Sequence, residues 1–79
     1  MMDEILKRMT GTKVLAVVGE IGREKEEARR FPTHALFIEL KNRTKLPDAD
    51  LLEVLEDLEA REIIETGRTL NDIFIALRQ

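Results

Sequence analysis

The sequence predicts a mostly α-helical domain that closes on a small β-hairpin. Three observations lead there. Leu51, Val54, Leu55 and Leu58 repeat at the i, i+3, i+4, i+7 spacing of one helical face. After Glu62 that period gives way to two short apolar segments, 63–66 and 73–77, around polar turn formers that include Gly67, Asn71 and Asp72. Pro32 and Pro47 punctuate the chain shortly before each of the two central segments.

Taken in order, Met2, Ile5, Leu6 and Met9 form the apolar stripe of a short helix. Thr10-Gly11-Thr12 reads as an interruption, with Thr12 as the cap of a new helix. Val14, Val17, Val18 and Ile21 then repeat the helical spacing. Residues 13–19 are β-branched and end in Gly19, so a buried strand is the alternative there. Helix is preferred because REKEEARR follows as a solvated helical tail, in which Arg23–Glu27 and Glu26–Arg30 attract and Lys25–Arg29 repel. Residues 1–30 are thus an N-terminal helical segment.

Phe31-Pro32-Thr33 is a clear break, since proline disfavours helix at the residue before it and threonine is a good N-cap. A helix is expected over 35–45, with Leu36, Phe37 and Leu40 on one side, although Phe and Ile also suit a strand. Lys45-Leu46-Pro47-Asp48 is the second break. Asp48 is the expected N-cap of the leucine-striped helix, and Asp50 and Glu53 put negative charge where the helix dipole favours it.

From this point the chain resembles the end of winged helix-turn-helix domains. The segment LLEVLEDLEAREIIETGRTLNDIFIAL sets Leu55, Leu58, Glu59, Ile63, Ile64, Gly67, Arg68 and Leu77 in register with that family's third helix, strand, wing tip and closing strand. ALFIELKNRTKLPDAD looks like its second helix and tight turn. The resemblance implies one winged-helix domain over 1–79, with the helix-turn-helix and wing in 35–79, and a DNA-binding or protein-binding role. It is more specific for fold than for function. One position departs: the family usually has Gly just after the third helix, where a left-handed residue ends it, and this chain has Glu62.

Composition narrows the function. Without cysteine or serine there is no disulfide, no thiolate ligand or nucleophile, and no Ser-His-Asp triad. A single histidine, His34, argues against a zinc site, and its expected role is structural or solvent-facing. No GxxxxGK[ST] or GxGxxG loop occurs. Gly19-Glu20-Ile21-Gly22 lacks the basic middle residues of an RNA-gripping GxxG loop, so turn or close-packing glycines are the plainer reading. Tryptophan and tyrosine, the usual stacking platforms for single strands, are absent. No enzyme activity, metal or cofactor is expected. No apolar run nears the roughly 20 residues of a membrane span, and MMDEILKRM does not read as a signal peptide. A cytoplasmic protein fits these features.

Charge divides the candidate surfaces. Residues 46–62 carry seven acids against Arg61 alone, a net −6 that leaves +3 on the rest of a chain whose formal charge is −3. Asp50, Glu53 and Asp57 are expected to project opposite the leucine stripe. They read as a solvated face, as a docking surface for a basic protein, or, least favourably beside phosphates, as a DNA-reading helix. Lys41, Arg43 and Lys45, with Arg68 at the expected wing tip, form the alternative: a basic set that grips nucleic-acid phosphates, or cations that complement a helix C-terminus. The partner is therefore DNA or a protein, and the apolar N-terminal helix suggests a homodimer.

Overall fold

The computed structural model describes residues 2–78. It has three helices and a small antiparallel sheet, in the order α1 (Glu4–Glu27), β1 (Ala35–Leu36), α2 (Phe37–Thr44), α3 (Asp48–Ala60), β2 (Ile64–Arg68) and β3 (Ile73–Leu77). The strands lie in the order β1-β3-β2. The hairpin is thus joined by a third strand, which makes the arrangement mixed α/β.

The N-terminal segment is one helix of 24 residues. At 1.5 Å per residue it is roughly 36 Å long, close to the 38 Å longest dimension of the molecule. Asp3 caps its start, its carboxylate accepting from the Leu6 amide at 2.8 Å. The expected interruption at Thr10-Gly11-Thr12 does not occur. Gly11 is buried where α1 crosses α3, and a Cβ there would stand 3.4 Å from the Leu58 side chain. Thr12 caps nothing; its hydroxyl donates back to the Arg8 carbonyl at 3.2 Å. Residues 13–19 are helix, as preferred over strand.

The helix expected over 35–45 is replaced by two elements. Ala35 and Leu36 pair with Ile75 and Phe74 of β3. The helix begins only at Phe37, with Leu36 as N-cap in place of Thr33. Glu39 makes this start possible by accepting from the Leu36 amide at 2.9 Å. In α3 the N-cap is Pro47, whose carbonyl accepts from Leu51 at 3.0 Å, and Asp48 is the first helical residue.

β2 and β3 pair from Ile64↔Leu77 to Arg68↔Ile73. Gly67, expected in the turn, is a strand residue opposite Phe74, whose ring lies across it. Residues 69–72 make the turn: the Thr69 amide donates to the Asp72 carbonyl at 2.7 Å, and the Asp72 amide to the Thr69 hydroxyl at 2.9 Å.

One core joins these elements. Val14, Val18 and Ile21 of α1, Leu40 of α2, Leu51, Val54, Leu55 and Leu58 of α3, and Ala35, Ile64 and Ile75 of the sheet are all buried in it. The i, i+3, i+4, i+7 stripe of α3 is the inward face, as its spacing requires.

Candidate interaction surfaces

The basic candidates are distributed over separate environments. Arg43 projects from α2 onto α1 and forks onto Glu24, with Nη1 to Oε2 at 2.8 Å and Nη2 to Oε1 at 2.6 Å; Glu20 adds a contact at 3.3 Å. The fork and the neighbouring carboxylates raise the guanidinium further above its already high value and hold the Glu24 carboxyl below the usual one. Lys41 reaches forward to Asp48 at the start of α3, at 2.7 Å. Lys45 is exposed in the α2–α3 turn with a left-handed backbone (φ 60°). Arg68 is exposed at the end of β2. Neither Lys45 nor Arg68 has an ion-pair partner among the described residues.

The acidic candidates lie on the side of α3 turned toward the start of α1. Asp50, Glu53 and Asp57 are all half-buried. Glu53 accepts from the Met2 amide at 3.2 Å and sits 3.6 Å from the Lys7 ammonium. Asp57 pairs with Arg61 one turn on, at 3.0 Å. Asp50 has no ion pair among the described residues. The side of α3 that faces solvent is a different strip: Ala49, Leu52, Glu56 and Glu59 are exposed, Leu52 at 41%. No lysine or arginine lies anywhere in residues 48–60.

Apolar side chains are exposed at a second place. Ile5, Leu6 and Met9 on the first two turns of α1 are 75%, 48% and 67% exposed. They project away from the face that carries Val14, Val18 and Ile21 into the core.

Lys25 was legible in the sequence only as part of a solvated tail. It is buried: its ammonium donates to the His34 carbonyl and to Glu39 Oε1, both at 2.7 Å. Its position one turn beyond Ile21 continues the spacing of Val14, Val18 and Ile21, which is the signal that places it inward. His34 is half-buried, and its ring meets Phe74 edge to face at 4.8 Å between centroids.

Among the described residues, no group of three His, Asp or Glu side chains is placed to hold a metal ion, and no helix is long and apolar enough to cross a membrane. Comparisons of the chain with protein-family models, with curated proteins and with solved structures give no match.

Proposed function

We propose that this is a small non-enzymatic winged-helix protein that binds another macromolecule, and that the partner is a protein segment that is basic and amphipathic. The order α1-β1-α2-α3-β2-β3, with β2 and β3 as the wing, supports the winged-helix reading. The observation that carries the choice of partner is the outer strip of α3. Ala49 and Leu52 offer apolar area, Glu56 and Glu59 offer negative charge, and residues 48–60 hold no cation. Burying Leu52 contributes affinity, and the carboxylates select a basic partner and speed its approach. The same strip repels phosphates, and contact with DNA rests heavily on neutralising them.

Lys45 and Arg68, the two candidates outside any ion pair among the described residues, favour a second reading, a DNA-binding regulator that works through the turn and the wing. Lys41 and Arg43 would first have to leave Asp48 and Glu24. Fluorescence anisotropy of a labelled random duplex, titrated at about 50 and 200 mM salt, separates the two readings, because phosphate-driven binding falls by orders of magnitude over that range. A protein-binding module is expected to leave the anisotropy unchanged at both. Micromolar binding that collapses at the higher salt would replace it with the regulator.

A further inference from the structure

A cavity of about 500 Å³ opens between the hairpin and the loop that leads into β1. Pro32, Leu36 and Phe74 give it apolar walls, and Lys25, His34 and Arg68 bring its polar groups. This size and this pattern, apolar walls with a few converging polar groups, are those of small-molecule sites. We infer that the cavity binds a small organic anion, a carboxylate on a compact apolar body.

The charge of the occupant follows from the lining. Two of the lining residues are cations and none is a carboxylate. Lys25 is nine-tenths buried. An ammonium has three donors, and two are taken by the His34 carbonyl and by Glu39. Glu39 offsets the Lys25 charge but lies outside the lining. The Arg68 guanidinium has no ion pair among the described residues and presents a planar fork suited to a carboxylate. An inorganic anion would satisfy the cations and leave the Leu36 and Phe74 walls bare. A neutral apolar molecule would fill the walls and leave Arg68 without its partner. An apolar carboxylate does both.

Gly67 fixes one wall. A Cβ at that position would collide with the Phe74 ring, so the absence of a side chain lets the ring lie against the strand beside the cavity.

The test is a set of amide NMR titrations of the full chain with benzoate, benzyl alcohol and inorganic phosphate, repeated on Arg68→Ala. Arg68 is exposed and outside the core, so its spectrum is expected to retain the native dispersion. Benzoate is expected to shift the amides of Leu36, Thr69 and Phe74 saturably and to bind about tenfold tighter than benzyl alcohol, with phosphate producing no such shifts. Arg68→Ala is expected to weaken benzoate about tenfold, the size of one lost charge-assisted hydrogen bond, and to leave benzyl alcohol unchanged. Equal binding of benzoate and benzyl alcohol, benzoate shifts centred elsewhere, or an unaltered benzoate affinity in Arg68→Ala would each overturn the assignment. None of these outcomes bears on whether α3 docks a protein, so the two readings fail separately.

Discussion

Arg29, Lys45 and Glu62 have φ of 56°, 60° and 60°, in the left-handed region where glycine is the usual occupant. Each follows a helix. After α3 the Glu62 amide donates to the Glu59 carbonyl at 2.9 Å and the Ile63 amide to the Leu58 carbonyl at 3.0 Å, the paired bonds of a Schellman cap. Arg29 and Arg30 repeat them after α1, onto Glu26 and Lys25. The helix-ending geometry is therefore kept and the side-chain strain is tolerated. Replacing Glu62 with Gly removes a cost of about 1–2 kcal/mol for a left-handed L-residue and adds back part of it as unfolded-chain entropy. Glu62→Gly is expected to gain about 0.5–1 kcal/mol, seen as a rise of several degrees in Tm by circular dichroism. A fall in Tm would mean that the Glu62 side chain has a stabilising contact of its own. The departure at Glu62 was legible in the sequence; its resolution needed the backbone.

The elements are pinned to one another by charged groups far apart in sequence, and these were not legible. Arg43 and Glu24 are 19 residues apart, and Lys25 and Glu39 are 14 apart. Local spacing suggested i, i+4 pairs within residues 23–30, yet Glu24 and Lys25 are committed to α2. By contrast, the α3 stripe was fully readable, because its period is the period of burial. Sequence and structure diverge where one local signal has two causes. A glycine between threonines marks a turn or a close helix crossing, and Gly11 is the second. β1, with two residues, is too short to carry any period at all.

At this same scale the Lys25–Glu39 pair, with its bond to Leu36, holds α1, β1 and the start of α2 together. Burial works against the Glu39 charge, but the hydrogen bonds from Lys25 and the Leu36 amide, with the Lys25 and Arg30 charges, outweigh it. They hold the carboxyl below its usual 4.5. A carboxyl lowered in the folded state contributes its stability in full above that usual value and loses it as pH falls through the lowered one. The urea midpoint is therefore expected to fall as pH drops below about 4.5. Glu39→Gln is expected to be less stable at neutral pH and to show a shallower acid loss. An unchanged acid slope in that variant would remove the pair from this role.

Over the whole molecule the charges are sorted by element, and the proposed docking strip is what that sorting leaves exposed. Arg43 and Lys41 are drawn onto α1 and α3, Glu53 and Asp57 are drawn toward Lys7 and Arg61, and the outer strip of α3 is left acidic and partly apolar. The acidic excess of residues 46–62 is legible in the sequence, where Asp50, Glu53 and Asp57 read as a solvated face or, alternatively, as a docking surface. The packing of α1 beside α3 turns that face partly inward and brings Leu52 and Glu56 out instead. The most direct measurement is a pair of amide NMR titrations on the intact chain, one with a synthetic basic amphipathic helical peptide and one with a random DNA duplex, in the same low-salt buffer. The expected result is saturable shifts at Leu52, Glu56 and their neighbours with the peptide, and none with the duplex. No response to the peptide, together with duplex-induced shifts centred on Lys45 and Arg68, would contradict it.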